Sequence, residues 1–409
     1  DKGLFYDGLN NEGSAVEHYS QHASAFPLAM EVVDDENAKQ SIAAYIKENG
    51  IKTSVYGAYF VLSGLYQADA GDVAMDLITA PATTTRSWLH IIDSLNATIS
   101  TEAWDPSIKS NMTYSHPWGS SPVSQIVTGM FGVNPLTAGF SKFQVKYQPG
   151  DVQSAEIKVP TVKGAIELSY DTKNSKYAFY STAKVPVNTT AVVYIPAPAA
   201  SAALVVDGVL TQAERSGNYL AVELGSGEHT VALPPINVSL TFSDSNENLV
   251  GGSKKLTVAI NGIDGNVYSL DNATVTFTSD NEEIATVDQT GTVKFNKAGE
   301  ATIMATVKIP SITIDNRQYD NVEITGIYKL NVITDTSFEP TSSETTTESS
   351  TSTTGSEAST TTTASGSASE SQSPDTGSKG LGIPFIAFIA AILTIFGIIL
   401  KRPKSTINA

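Results

Sequence analysis

Asn96-Ala-Thr-Ile-Ser-Thr-Glu102-Ala-Trp104-Asp105-Pro106, followed after a short polar spacer by Tyr114-Ser-His116-Pro-Trp118-Gly-Ser-Ser-Pro122, lies between two segments of helical period. It puts two carboxylates, an imidazole and two indoles into one connector. Indole faces stack on the C–H faces of a pyranose ring, carboxylates and imidazoles hydrogen-bond its hydroxyls, and a carboxylate can take a proton from an attacking water. Such a composition fits a sugar site. An acidic residue beside a tryptophan is also commonly a capping residue next to a packed aromatic, so the connector alone leaves both roles open.

The flanking segments set the first region's fold. Asp34-Asp-Glu36 supplies acids to a helix start, Ile42, Tyr45 and Ile46 share one face, and Gly50 provides the stop. Runs over 55–67, 72–79 and 84–94 carry Tyr59, Leu62 and Tyr66, then Ala74, Leu77 and Ile78, then Trp88, Ile91 and Ile92 at helical spacing. A fifth run follows Pro122, with Ile126, Val127, Met130 and Phe131 before Gly132. Helices joined by short connectors pack as antiparallel pairs, so residues 34–132, within a first region taken as 1–138, read as a helical array.

After Pro135 the apolar residues alternate. Short strands around Phe143–Tyr147, Ala155–Val159, Ala165–Leu168, Ala178–Tyr180 and Ala191–Ile195 are separated by Gly, Pro, Asn and Asp, which predicts a β-sandwich over 139–235, closed by Pro234-Pro235. Residues 236–334 are again strand-rich. Their stretch from Val275 to Val307, with turn signals at Gln289-Thr-Gly291 and Lys297-Ala-Gly299, resembles the bacterial immunoglobulin-like domain and is expected to serve as a spacer.

Composition changes sharply at Asp335. Residues 335–380 are rich in Ser and Thr with almost no large apolar side chain, which predicts a disordered stalk spanning about 40 Å as a flexible coil. Residues 381–400 are apolar enough for one transmembrane helix, and the basic tail 401–409 places its end in the cytoplasm. Ser373-Pro-Asp-Thr376-Gly377 before that span resembles a sortase signal, cut between Thr376 and Gly377, with Ser373 where leucine is usual. Sorting or membrane anchoring both put the folded domains at the cell surface.

The chain of 409 residues holds no cysteine, so no domain relies on a disulfide, and its net charge of −17 leaves no surplus of cations for nucleic acid. It starts at Asp1 without an export signal while its far end carries surface-protein signals, and is therefore read as the C-terminal portion of a longer protein.

Five blocks carry a family resemblance over roughly residues 1–235. His18-Tyr-Ser-Gln-His22-Ala-Ser-Ala-Phe26-Pro27, Val55-Tyr56-Gly-Ala-Tyr59-Phe60, Arg86-Ser-Trp88, Thr101-Glu102-Ala-Trp104 and His116-Pro-Trp118-Gly-Ser-Ser-Pro122 occur in the order seen in the α-L-rhamnosidase family of glycoside hydrolases. Val159-Pro-Thr-Val-Lys163-Gly164 is similar to a strand motif of that family's C-terminal β-domain. The resemblance implies the last hairpins of a six-hairpin α/α barrel, followed by its β-sandwich. It implies removal of terminal α-L-rhamnose with inversion, by an acid and a base whose carboxyls stand about 6.5–9.5 Å apart.

Glu102 matches the family's base position, and His116, Trp104, Trp118 and His22 are the expected substrate-binding residues. The acid belongs to a motif upstream of the His18 block, so the chain by itself is expected to be inactive; Asp7 and Glu17 are weak substitutes. Ser24 stands where the family usually has asparagine. His18 and His22, four apart, lack a third ligand at metal spacing, and no metal or cofactor is expected. His90 and His229 read as structural. The expected partners are a rhamnosylated glycoside or polysaccharide, the cell wall and the membrane. A non-catalytic carbohydrate-binding adhesin is the alternative, using the same stalk and immunoglobulin-like domain.

Overall fold

Ser20 and Asp35 each begin a helix by accepting from a backbone N–H of its first turn. Ser20 Oγ takes Ala23 N at the start of α1 (Gln21–Ala29), and Asp35 Oδ1 takes Ala38 N at the start of α2 (Glu36–Asn49). The computed structural model describes residues 2–334. The stalk, the apolar span, the basic tail and the Thr376-Gly377 site read from the sequence lie outside the described residues.

α2 buries Ile42, Ala43 and Ile46 and ends at Gly50, whose positive φ and N–H to Ile46 O close the last turn. α1 is a helix that period alone does not reveal, because Pro27 inside it removes a backbone donor and its apolar face is weakly marked. α3 (Ala58–Gln67) is buried on most sides, as Val61, Leu62, Leu65 and Tyr66 show, and α4 (Gly71–Ile78) follows it after a short turn. The run expected over 84–94 is helical only from 88, ending in a π-helical turn, His90–Ser94. Ser87 explains the late start: its Oγ accepts from His90 N at 3.0 Å, acting as the cap. α5 (Ser121–Gln125) runs into a second π-helical turn, Ile126–Met130.

The strands that follow are β1 (Asn134–Pro135), β2 (Lys142–Lys146), β3 (Ser154–Thr161), β4 (Gly164–Asp171), β5 (Phe179–Val185) and β6 (Thr190–Pro196). β7 (Ala203–Val206), β8 (Val209–Gln212), β9 (Glu214–Ser216), β10 (Tyr219–Leu224) and β11 (Gly227–Leu233) complete the sandwich. One sheet has the order β1-β2-β6-β10-β9 and the other β3-β4-β5-β11-β7-β8. Phe143, Val145, Val193 and Ile195 of the first sheet and Ile166, Leu168, Ala183 and Val231 of the second fill one apolar core.

That core continues into the helical region without a break, through Phe131, Met130, Tyr147 and Leu65. Gln148 ties the two regions by donating from Nε2 to Tyr66 O at 2.9 Å, and Lys146 pairs with Asp69. Gly132 is required at the crossing: its φ is +63°, and a Cβ there would stand 2.3 Å from Lys146 O.

The third region contains β12 (Ile236–Phe242), β13 (Ser253–Gly262), β14 (Val267–Tyr268) and β15 (Thr274–Ser279). It ends with β16 (Ala285–Val287), β17 (Thr292–Phe295), β18 (Gly299–Ile314) and β19 (Arg317–Val332). The order β12-β13-β17-β16, with β14 beside β13, faces the sheet β15-β18-β19 across Leu256, Phe277, Val293, Phe295, Ile303 and Leu330. The turn expected at Gln289-Thr-Gly291 is present, with Gly291 N donating to Asp288 O.

The β18–β19 hairpin reaches well past that core. Its two-residue turn, Asp315-Asn316, has φ of +50° and +60°, the left-handed pair that matches the twist of antiparallel strands. Next to the turn, Arg317 donates to four carbonyls of the sandwich, those of Thr172, Asn174, Tyr177 and Ala178, at 2.5–3.1 Å. Ile309, Ile314, Tyr319 and Val322 pack with Val205 and Ala232 of the sandwich in a shared apolar cluster. The immunoglobulin-like region is therefore docked on its neighbour, where the sequence reading pictured a spacer. Among the described residues no helix is long and apolar enough to cross a membrane.

Candidate functional site

The connector between the π-turn at 90–94 and α5 folds back on itself. Glu102 N donates to Thr113 O and His116 N to Ser100 O, both at 2.9 Å, so residues 100–102 and 113–116 run side by side and residues 103–112 form an excursion between them. Below this pair the indoles form a wall. Trp104 Nε1 donates to Thr53 O at 2.9 Å, Trp88 Nε1 donates to Gly119 O at 2.7 Å, and the two rings meet edge to face at 5.1 Å. Arg86 adds a second donor to Thr53 O.

Trp104 is 1% exposed. The structure thus corrects its expected place among the sugar contacts: both faces are used by packing, and the indole supports the connector from beneath. Trp118, in contrast, is 50% exposed and stacks on His116 with ring centroids 4.6 Å apart. Tyr56 lies against Trp118 at 5.6 Å, and the row of rings continues through Phe60 and Phe26 to His22. His22 and His116 therefore stand on one aromatic surface although 94 positions separate them in the sequence. His18 is elsewhere engaged, with Nδ1 on Asp7, and Asp7 Oδ1 accepts from Ser20 N. Ser24 is buried and accepts from Phe5 N.

Glu102 is held from two sides. Lys109 Nζ lies 2.9 Å from Oε1, and Thr113 N donates to Oε2 at 3.1 Å. Lys109 first, and the Thr113 amide second, hold the carboxyl below its ordinary pKa. Thr113 Oγ1 adds a longer contact to Oε2 at 3.5 Å, so it is Oε1, with Lys109 on it, that keeps a second lone pair able to accept a proton from water. Thr113 Oγ1 lies 2.7 Å from His116 Nδ1, linking the carboxylate's partner to the stacked imidazole.

Asp105 is a different carboxylate. Ser107 N donates to its Oδ1 at 2.8 Å and His90 Nε2 lies 2.8 Å from Oδ2; the Ser107 hydroxyl first, then His90 and the Ser107 amide, pull its pKa down to about 2. A group that acidic is ionised at neutral pH and cannot protonate a leaving oxygen. Asp7, hydrogen-bonded by Ser20 N and His18, is likewise held below the usual range. Among the described residues no cluster of three or more His, Cys, Asp or Glu could hold a metal.

Sequence reasoning missed Lys109, Thr113 and Tyr56 as parts of this constellation. An irregular loop has no period to reveal partners of Glu102, though an exposed tyrosine in the Val55-Tyr56 block was a usable signal. His90 was read as structural, and its ring proves to face Asp105.

Three family models match successive segments. Residues 3–127 match the bacterial alpha-L-rhamnosidase 6 hairpin glycosidase domain. The rhamnosidase-type match resumes over 132–209 with the bacterial alpha-L-rhamnosidase C-terminal domain, and 237–313 match the bacterial Ig-like domain (group 2). An alpha-L-rhamnosidase of Streptomyces avermitilis is 27% identical over 226 residues, which cover 51% of this chain and 21% of the relative. The crystal structure of a Streptomyces avermitilis alpha-L-rhamnosidase complexed with L-rhamnose is similar over 56% of this chain and 22% of that one, with 23% identity and a TM-score of 0.46. The alpha-L-rhamnosidase of Dictyoglumus thermophilum is similar over 53% and 25%, with 19% identity and a TM-score of 0.47. The chain thus spans between a fifth and a quarter of the length of these rhamnosidase relatives.

Proposed function

We propose that this chain contributes the base side of a glycoside-hydrolase site that removes terminal α-L-rhamnose with inversion. Glu102 activates the attacking water, His116 and His22 bond sugar hydroxyls, and Trp118 stacks on the ring. The observation that carries the reading is the placement of an ionised, two-sided carboxylate beside an open His116–Trp118 stack, inside a segment matched by a rhamnosidase barrel model. In this reading the general acid belongs to a motif upstream of the His18 block, and Asp105 and Asp7, both held below their ordinary pKa, are poorly suited to replace it. This chain alone then turns over rhamnosides poorly. The domains are displayed at the cell surface, sorted at Thr376-Gly377 or held by the span 381–400, a reading supported by the sequence pattern.

The test is release of aryl alcohol from an aryl α-L-rhamnoside by the full-length protein, with this chain assayed in parallel. Glu102→Gln is expected to lower turnover about 10²–10⁴-fold, the usual worth of a positioned base. Unchanged turnover in that variant removes Glu102 from the role. The Lys109–Glu102 ion pair favours a second reading, a rhamnose-binding adhesin, because a carboxylate neutralised by an ammonium is a weaker base. Saturable rhamnoside binding with no turnover by the full-length protein selects that reading.

A further inference from the structure

Besides the indole N–H bonds beneath it, the connector is anchored at a partly buried charged contact. His90 Nδ1 lies 3.0 Å from Ala82 O and His90 Nε2 lies 2.8 Å from Asp105 Oδ2, with the two side chains only 14% and 19% exposed. A carbonyl oxygen and an ionised carboxylate are both acceptors, so each ring nitrogen must bring a hydrogen. That is an imidazolium bridging two segments.

Asp105 passes the anchorage on. Its Oδ1 accepts from Ser107 N, and its backbone carbonyl accepts from Ile108 N at 3.0 Å and Lys109 N at 3.2 Å. This turn aims Lys109 at Glu102 Oε1. We propose that His90 is a positioning residue for Glu102: by donating from both ring nitrogens to Ala82 O and Asp105, it holds the turn that carries Lys109 and so fixes the carboxylate.

A pH dependence follows. Neutral imidazole has one N–H, so deprotonation gives up one of the two contacts. Asp105 chiefly, and the Ala82 carbonyl, raise the His90 pKa above its ordinary value against the opposing effect of burial. Asp105 is the charged group facing the ring, and Asp93 on the same turn is exposed. A raised histidine pKa means that the anchorage is complete below about pH 6.5 and is lost as pH rises through the higher folded value. Asp105 sets the other limit, since it must stay ionised; its contribution is lost only as pH falls from about 4 toward its folded value of about 2.

The catalytic consequence rests on Glu102 being the base, whereas the anchorage itself is tested without turnover. Backbone hydrogen exchange at Glu102, Lys109 and His116 would be followed in the full-length protein from pH 5.5 to 8.5, corrected for intrinsic rates, with ring titrations read from labelled histidine. In the native protein protection of these three amides should fall about tenfold with the midpoint of the His90 ring, on the scale of one charge-assisted hydrogen bond. His90→Gln should exchange about tenfold faster at pH 5.5 and show no such midpoint, while α2 amides stay protected; Asp105→Asn should behave alike. Protection that stays flat through the His90 midpoint, or that is unchanged in His90→Gln, overturns the proposal. If protection behaves as expected and Glu102→Gln retains full turnover, the anchorage stands and the assignment of the base falls.

Discussion

Arg317→Ala should loosen the immunoglobulin-like region from the sandwich while leaving both folded. The guanidinium donates four hydrogen bonds to carbonyls 139–145 positions away in sequence and also lies 4.5 Å from the Tyr319 ring centroid. At a net worth of about 0.5–1.5 kcal/mol per bond, the set sums to roughly 2–6 kcal/mol. The residue is half-buried and water can reach the freed carbonyls, so a loss of about 2–3 kcal/mol is the reasoned figure. The apolar cluster around Ile314, Tyr319 and Val205 remains, so the docked state persists with a weaker lock. Calorimetry should resolve the native protein's transitions closer together than those of Arg317→Ala. Protease cleavage near Pro234-Pro235 should speed up about 30–150-fold in the variant, because cleavage tracks the population of the open form. Identical calorimetric traces and cleavage rates would mean that the four carbonyl contacts do not couple the regions.

Other substitutions test the site and the junctions separately. Lys109→Met removes the cation that chiefly lowers the Glu102 pKa; the carboxyl then needs a higher pH to ionise, so the acidic limb of kcat/KM for the full-length protein should move up in pH. Trp118→Ala should weaken rhamnoside binding with little change in melting, as its indole is half open, whereas Trp104→Ala should cost about 3–5 kcal/mol of stability because that indole is enclosed. Gly132→Ala combines a positive φ with a backbone clash at Lys146, and a loss of more than about 1–3 kcal/mol is expected from denaturant melts.

Where hydrogen bonds and burial are local, the sequence carries the structure. The Asp35 cap, the Ile42 and Ile46 face and the Gly50 stop all act within a few residues of one another, and α2 forms where they say. Alternation is equally local, which is why β2, β3, β4 and β6 fall where Phe143, Ala155, Ala165 and Ala191 mark them, while the run Ala178–Tyr180 marks only the start of β5. The order of aromatic and acidic blocks was enough to gather Glu102, His116 and Trp118 on one connector. Even there, one competing local rule shortened an element: Ser87 capped a helix that period alone would have begun at 84.

Contacts between distant segments were decided by tertiary structure. Trp104 is turned inward by the Thr53 carbonyl that receives its indole N–H, and Trp88 by the Gly119 carbonyl, while Trp118 is left half open; none of these partners is written in the local pattern. Lys109 meets Glu102 only because an irregular turn returns it there, and His90 meets Asp105 across fifteen positions. The immunoglobulin-like region reads as a separate module from its own strands. Its docking depends on a hairpin that reaches past its own core and carries Arg317 to four carbonyls of the segment between β4 and β5. Residue types announce what chemistry is present; only the folded chain decides which groups stand close enough to use it.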